Sequence, residues 1–274
     1  MLRHHASAWV AAGLLMFTVG GTPSTAQTSG SHKPAVLAQC DAARFHVIID
    51  VGHTPEVPGA ISARGVTEYD YNLKLSKAID ARLTEAGFSR ATLMTGSGEA
   101  IPSLIKRTTQ VNAAAPDLVI SVHHDSVPEN FKVKWEYEGK PQEYSDRFRG
   151  HSIFVSSENV AYQSSLAFGK LLGARLKARG MRYTPHYTEA FMGSRQRQLV
   201  DADTGVYRYD QLLILKNTRV PAVLLEAGSI VHRDEELLMR KPEHHQLIAG
   251  AVTEAVEAFC AQKGSRTARA STTR

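Results

Sequence analysis

Short apolar runs alternate with amphipathic stretches along most of this chain, and this alternation restricts the possible fold more than any other feature. Six runs of apolar or β-branched residues are typical of strands buried between helices, and they cover residues 45–51, 91–95, 118–122, 152–155, 212–215 and 222–225. Helical patterns cover residues 67–86, 102–115, 161–179 and 242–260. This order predicts one α/β domain with a mostly parallel, twisted sheet and helices on both faces.

The first predicted helix has a clear signal at each end. Thr67 is a good N-cap, and Gly87 suits the left-handed conformation in which helices commonly end. Between them, Leu75, Ile79 and Leu83 recur every four residues and therefore share one face. We expect this face to pack against the sheet.

Residues 1–26 have the pattern of a secretory signal. A basic start precedes a short apolar centre, and small residues stand before Gln27, so cleavage is expected after Ala26. No later stretch approaches the roughly 18–20 apolar residues that a membrane-spanning helix needs. We therefore expect an exported protein, periplasmic or extracellular, whose mature form has no membrane span and is a monomer. Residues 27–39 are predicted to be a linker.

The charge of the chain is concentrated outside the predicted domain. Its 32 basic residues exceed its 27 acidic residues, but Arg3 lies in the predicted signal and four basic residues follow Gln262. Residues 27–262 therefore carry 27 charged side chains of each sign. A neutral domain argues against nucleic-acid binding, which needs a basic stripe on the domain itself. Residues 263–274 are predicted to be a basic disordered tail.

Two cysteines stand at the ends of the predicted domain, which we place at residues 40–262. Cys40 precedes the first strand, and Cys260 lies at the end of the last helix. In an oxidising compartment, an even number of cysteines without a C-x-x-C motif favours a disulfide over a thiolate metal site. Two free buried thiols are the alternative.

Histidines and carboxylates follow three of the predicted strands, at the positions where open α/β sheets bind their ligands. These residues, together with a glutamate in the first turn of the first helix, are His53, His123, His124, Glu226 and Glu68. Imidazole and carboxylate groups without cysteine are the ligand set of a catalytic zinc site, which keeps one position open for water. Each residue taken singly could be an ordinary turn or surface residue. A carboxylate at the end of a buried run, as at Glu226, nevertheless needs a partner or a task.

Four ordered segments resemble the zinc-dependent N-acetylmuramoyl-L-alanine amidases of the Amidase_3 type, which have a zinc exopeptidase-like fold. The sequence D-V-G-H at 50–53 ends the first strand, and a glutamate follows fifteen residues after its histidine, as in the family. The segment at 117–123, D-L-V-I-S-V-H, is similar to the family's A-D-L-x-I-S-I-H strand. The segment at 221–226, P-A-V-L-L-E, is similar to its P-A-V-L-V-E strand. The resemblance covers about residues 46–260.

The resemblance implies a Zn²⁺ ion held by His53, Glu68 and His123, and a catalytic role for Glu226. It also implies the substrate, which is the amide between N-acetylmuramic acid and L-alanine of the peptidoglycan stem peptide. Hydrolysis of this bond in peptidoglycan or muropeptides would serve cell-wall remodelling or cell separation. Such a zinc site would lower the pKa of a bound water toward about 7, and Glu226 would move protons from the water to the leaving amine.

Two alternatives stay open. The same ligand set would serve a zinc peptidase acting on the stem peptide, which needs an arginine in the cleft to clamp a C-terminal carboxylate. Arg64, Arg107 and Arg195 are the candidates, and the sequence does not place them. The second alternative, a peptidoglycan-binding protein without turnover, is disfavoured by the retention of Glu226.

The chain also departs from the family's pattern. His124 and Asp125 stand where the family usually has Ala-Asn, so His124 could compete as a ligand or support the ligands from behind. Asp50 could orient His53 or simply cap a turn. Residues 126–150 and 181–209 are too long for plain connections, and we expect them to form the walls of a cleft. In the first of these, Trp135 could stack on a sugar or pack the loop onto the domain.

Overall fold

The structure, a computed structural model, describes residues 40–272, with side chains as far as residue 264. The predicted signal and linker lie outside the described residues. Nine strands are present in this part of the chain: β1 (Val47–Val51), β2 (Thr92–Met94), β3 (Leu118–Asp125), β4 (Val133–Tyr137), β5 (Lys140–Tyr144), β6 (Ser152–Val155), β7 (Gln198–Asp201), β8 (Val206–Arg208) and β9 (Ala222–Ser229). The α-helices described are α1 (Glu68–Glu85), α2 (Ala100–Ala114), α3 (Tyr162–Ala178), α4 (Leu213–Lys216), α5 (Arg233–Met239) and α6 (Pro242–Thr272).

Seven of these strands form one mixed sheet in the order β2-β1-β3-β9-β6-β8-β7. The neighbours β2, β1, β3 and β9 run parallel to one another, as do β6 and β8. The strand β6 runs antiparallel to β9, and β7 runs antiparallel to β8. The predicted single α/β domain with a mostly parallel sheet is confirmed. The remaining strands, β4 and β5, form a separate hairpin.

Alternating side chains of the central strands build a core on each face of the sheet. On one face, Ile49 lies in a cluster with Leu75 of α1, and helices α3 and α6 complete this layer. On the other face, Ile48 lies in a cluster with Val111 of α2, and α4 adds Leu215. Strand residues buried on both faces explain why the sequence shows continuous apolar runs rather than a polar alternation.

The boundaries of α1 follow the predicted signals. The Thr67 side chain accepts a hydrogen bond from the Asp70 backbone N–H at 3.2 Å, as an N-cap does. At the other end, Gly87 has a φ of +90°, which is the left-handed region. The capped first turn fixes the position of Glu68 relative to the sheet.

One predicted strand is wrong. Residues 212–215 belong largely to α4, where the Lys216 and Asn217 N–H groups donate to the carbonyls of Leu212 and Leu213. A four-residue apolar run has no period that separates a strand from a buried helical turn. Burial of Ile214 and Leu215 satisfies the hydrophobic pattern equally well in the helical form.

Helix α6 extends beyond the predicted end at Cys260, and its backbone is helical as far as Thr272. The prediction of a disordered tail from residue 263 is therefore wrong for residues 263–272. Alanine, arginine and lysine, which are good helix formers, make up half of residues 263–272, and no proline interrupts the stretch. The Lys263 ammonium donates to Asp117 Oδ1 at 2.8 Å and fixes the helix to the start of β3. No helix in the described part of the chain is both long and apolar enough to cross a membrane.

The sulfur atoms of Cys40 and Cys260 form a disulfide, as predicted, across a sequence separation of 220 residues. The bond joins the segment before β1 to α6 and so closes almost the whole described domain into one loop. Restricting so long a loop in the unfolded chain stabilises the folded state by about 2–5 kcal/mol.

We predict that the double variant Cys40→Ser/Cys260→Ser folds but loses about 2–5 kcal/mol of unfolding free energy, because its unfolded chain regains loop entropy. Denaturant unfolding of the oxidised protein and the double variant measures the difference. Adding reductant to the double variant is the control and should change nothing. Equal midpoints for the two oxidised proteins would show that the bond does not stabilise the fold.

Candidate active site

Three parallel strands bring the predicted site residues to one edge of the sheet. The register pairs Val51 of β1 with Val122 of β3, and it pairs His123 with Glu226 of β9. The chain leaves β1 through Gly52, whose N–H donates to the Val122 carbonyl at 3.0 Å. A Cβ atom at Gly52 would lie 2.4 Å from His123 Nε2, so only glycine leaves room for this imidazole.

His53, Glu68 and His123 converge, with one possible ligand atom from each lying within 4.8 Å of the others. The two Glu68 oxygens contact different imidazoles, Oε2 at 3.0 Å from His53 Nε2 and Oε1 at 3.0 Å from His123 Nδ1. His53 has a φ of +69°, a conformation that turns the chain sharply after β1. The three residues that the sequence singled out therefore lie together, as a cluster of two imidazoles and one carboxylate.

The Glu68 carboxylate is held by more than the two imidazoles. The Ala60 N–H donates to Oε2 at 3.1 Å, and the Asn72 amide donates to Oε1 at 3.3 Å. Burial would raise the pKa of Glu68, but hydrogen bonds from His123 and His53 hold that pKa well below its usual value. The carboxylate is therefore ionised, as a metal ligand must be.

His124 lies outside this cluster. Its Nδ1 contacts the Asn72 Oδ1 at 2.8 Å, and burial lowers its pKa to about 3, so the ring is neutral. Asn72 thus links His124 to Glu68 and supports the carboxylate from behind. Asn72 is not among the predicted site residues, although its spacing of four residues from Glu68 places the two on one helix face.

Asp50 does not orient His53, and it does not cap a turn. One carboxylate oxygen forms an ion pair with Arg107 of α2, and the other accepts a hydrogen bond from Ser121 at 2.7 Å. Arg107 also donates to the Val51 carbonyl at 3.0 Å. This buried pair joins α2 to the end of β1, and Ser121 links the same carboxylate to β3.

The other two arginines left unplaced by the sequence have different positions. Arg64 forms a buried ion pair with Glu236 of α5. Arg195 lines a cavity of about 240 Å³ beside the histidine–glutamate cluster. The residues that line this cavity are His53, Ala60, Glu68, His123, His124, Asp125, Ser126, Phe154, Tyr187, Arg195, Arg197, Tyr209, Leu212 and Glu226.

Glu226 extends into the same cavity from the central strand β9. Its Oε2 is buried and has no hydrogen-bond partner among the residues that the structure describes. Burial raises the pKa of Glu226 well above its usual value, and the negative charges of Asp125 and Glu68 add to this effect. This carboxyl group therefore binds a proton more readily than an exposed glutamate does.

Asp125 is the third carboxyl group in the cavity, and it is fully hydrogen-bonded on one oxygen. Its Oδ1 accepts from the Tyr187 hydroxyl and from the Ser126 N–H, both at 2.7 Å. Burial raises the pKa of Asp125 to about 7 despite these bonds. Asp125 therefore belongs to the cavity wall, with Tyr187 as the partner that the sequence could not identify.

The two long segments contribute differently to the cleft. Residues 181–209 supply Tyr187, Arg195 and Arg197 to the cavity wall. Residues 126–150 form the β4–β5 hairpin, which borders a neighbouring groove that adjoins the cavity at Ala60. The Trp135 indole donates to the Ala63 carbonyl at 3.0 Å, so this side chain packs the hairpin onto the domain.

Comparisons with known proteins agree with this geometry. The family model described as N-acetylmuramoyl-L-alanine amidase, Amidase_3, matches residues 47–258. An endolysin of Bacillus phage SPP1 is 28% identical over 195 residues, which cover 71% of this chain and 58% of the endolysin. The chain therefore spans little more than half the length of that relative.

Two solved structures share the fold. The amidase Ami1 from Mycobacterium smegmatis has a TM-score of 0.61 and 20% identity, with 80% of this chain and 98% of Ami1 covered. The catalytic domain of CwlV, an amidase from Bacillus (Paenibacillus) polymyxa var. colistinus, has a TM-score of 0.56 and 17% identity, with 78% and 97% covered. At these identities the likeness establishes the α/β architecture alone.

The buried ion pair between Asp50 and Arg107 is expected to stabilise the fold. Asp50→Asn should lower the free energy of unfolding by about 3–5 kcal/mol, because it leaves the Arg107 guanidinium buried without a counter-charge. Denaturant unfolding measures the loss. The double variant Asp50→Asn/Arg107→Met is the control, and it should recover part of the loss because no unpaired charge remains. An Asp50→Asn protein as stable as the parent would contradict this account.

Proposed function

This chain belongs to the Amidase_3 family of N-acetylmuramoyl-L-alanine amidases, and on that premise we propose that it is a zinc-dependent enzyme that hydrolyses the amide between N-acetylmuramic acid and L-alanine in peptidoglycan. The observation that supports this proposal best is the meeting of His53, Glu68 and His123 in one cavity with Glu226. We propose cell-wall remodelling or cell separation as the setting of this reaction.

The donor set of the cluster fits Zn²⁺. Two imidazoles and one carboxylate are a common catalytic zinc set, and three protein ligands leave a position for water. His53, Glu68 and His123 would hold the ion, and the Ala60 N–H and the Asn72 amide would keep Glu68 in place. When bound, zinc would polarise the amide carbonyl and make water acidic enough to be deprotonated near neutral pH.

Glu226 would carry the proton through the reaction. Its carboxylate stands on the strand next to His123, and one oxygen has no partner within the described residues, so it is free to accept a proton from the attacking water. The same group would then donate this proton to the alanine nitrogen as the C–N bond breaks, releasing the peptide as an amine. Burial favours the protonated intermediate state of Glu226, whereas the positive charge of Arg195 favours its ionised state.

One observation favours a second candidate, a zinc peptidase acting on the stem peptide. Arg195 lies in the cavity, where a carboxylate clamp of such a peptidase would be needed. The two activities leave different products. An amidase releases the whole stem peptide with a free L-alanine amino group, whereas a peptidase leaves alanine on the muramic acid. Mass spectrometry of digested sacculi and of a defined muropeptide therefore tests the proposal against this alternative.

We also propose that the protein acts outside the cytoplasm, since its substrate lies there. The predicted signal at residues 1–26 supports export, and the Cys40–Cys260 disulfide fits an oxidising compartment. The expected monomeric state stays a prediction.

We predict that the parent protein binds about one zinc per chain and that His53→Ala abolishes this stoichiometry, because two remaining ligands hold the ion too weakly. Elemental analysis after dialysis gives the metal content. The control is His46→Ala, which removes a histidine at the opposite end of β1. Full zinc occupancy in His53→Ala would remove this residue from the ligand set.

Glu226→Gln should keep the zinc and the fold but lower turnover on muropeptides by about 100-fold or more, because an amide cannot shuttle the proton. Single-turnover kinetics with parallel zinc analysis provide the measurement. Glu158→Gln, an exposed glutamate paired with Lys216, serves as the matched control. Near-normal turnover in Glu226→Gln would exclude Glu226 from the chemistry.

A further inference from the structure

Two arginines, Arg195 and Arg197, line the active-site cavity. Arg195 ends a short 3-10 helix, and Arg197 stands two residues later, with Gln196 between them in an extended conformation. Both side chains border the cavity, and both are half-buried.

Neither guanidinium forms an ion pair with a carboxylate among residues 40–264. Arg195 donates to the Ser126 carbonyl at 3.3 Å, and Arg197 donates to the Ser194 and Gln196 carbonyls through a single nitrogen. The Arg197 Nε is buried and has no hydrogen-bond partner in this part of the chain. Because a guanidinium has five N–H donors, most of the donors of this pair have no hydrogen-bond partner among the described residues.

Other contacts hold the pair in place. The Arg197 guanidinium lies over the Tyr209 ring at 3.6 Å from its centroid, and the Arg197 backbone N–H donates to the Tyr187 carbonyl at 2.7 Å. Arg195 and Arg197 line the same cavity as Asp125 and Glu226. The cavity wall therefore carries two positive charges, with donors that no described residue uses, as well as these carboxyl groups.

The chemistry of the proposed substrate indicates which group meets these positive charges. The muramic acid carboxyl group is consumed in the scissile amide, so the sugar side of the bond carries no negative charge. The peptide side carries the free carboxylates of the acidic residues that follow alanine. Planar guanidinium groups recognise carboxylates through paired hydrogen bonds.

We propose that Arg195 and Arg197 form a carboxylate-binding subsite for the peptide portion of the substrate, on the leaving-group side of the scissile amide. This inference rests on the proposed function for the identity of the peptide. Arg195 and Arg197 would bind the substrate and determine its specificity, whereas Glu226 would transfer the proton. Binding of the carboxylate would place the alanine nitrogen beside Glu226.

The test compares two ligands that differ only in charge, N-acetylmuramoyl-L-alanyl-D-glutamate and its analogue with both glutamate carboxyls amidated. Calorimetry with zinc-loaded Glu226→Gln protein gives the affinity for each. We expect the acidic ligand to bind roughly 10- to 100-fold more tightly, the range of one or two charge-assisted hydrogen bonds. Adding Arg195→Gln or Arg197→Gln should bring this ratio near 1. Arg197→Lys should restore part of it, because lysine keeps the charge without the planar fork.

Arg208→Gln, an exposed arginine outside the cavity, is the matched control and should keep the full ratio. Thermal unfolding of each variant establishes that a lost ratio is not lost fold. An equal affinity for both ligands, or a ratio that survives both arginine substitutions, would overturn the subsite. If the parent protein cleaves the muramoyl amide but binds the acidic and the amidated ligand equally well, the subsite is overturned and the proposed function stands. Charge-dependent binding by a parent protein that does not cleave the muramoyl amide would overturn the proposed function and leave the subsite standing.

Discussion

Val51, Val122 and Leu225 lie side by side in three parallel strands, and the chemistry of the site depends on this register. Because neighbouring parallel strands lie about 4.8 Å apart, residues at matching heights must meet at the sheet edge. His123 and Glu226 are matched in this way, and His53 follows β1 at the same edge. A slip of one residue would turn His123 to the opposite face of the sheet, so burial of the apolar neighbours also fixes the site.

The sheet edge carries more buried charge than a stable core tolerates without compensation, and the compensation differs between the carboxyl groups. Glu68 is surrounded by donors, and Asp50 has Arg107 and Ser121. Glu226 alone of these three has a buried oxygen without a partner in the described structure. An uncompensated polar atom costs free energy, and such costs accumulate where a protein has a chemical task. The unpartnered buried oxygen therefore distinguishes Glu226 more clearly than its position in the sequence does.

Local signals were sufficient to predict the regular elements that carry the candidate site residues, whereas the ligand set itself was implied by the resemblance to the Amidase_3 family. The β1, β3 and β9 strands each begin with a run of apolar residues, and the Thr67 cap fixes where Glu68 starts its helix. Contacts between distant segments were not predictable, because charge alone does not identify a partner. Arg107 pairs with Asp50 and Arg64 pairs with Glu236, and the sequence treats both arginines alike. The run at 212–215 was ambiguous for the same reason, since only its neighbours decide between strand and helical turn.

Tyr187 connects the two sides of the cavity, although no motif marks it. Its hydroxyl donates to Asp125, which follows His123 by two residues, and its carbonyl accepts from the Arg197 N–H. The ring itself is buried against Phe154 and Tyr207. Tyr187 therefore links the segment that follows His123 to the segment that carries Arg197. A site whose two halves share such a rigid support is preorganised, which lowers the entropy lost when a substrate spans both halves. Departures from the family's usual residues at 124 and 125 are then compatible with a working cleft, because Asn72 and Tyr187 supply the partners that these side chains need.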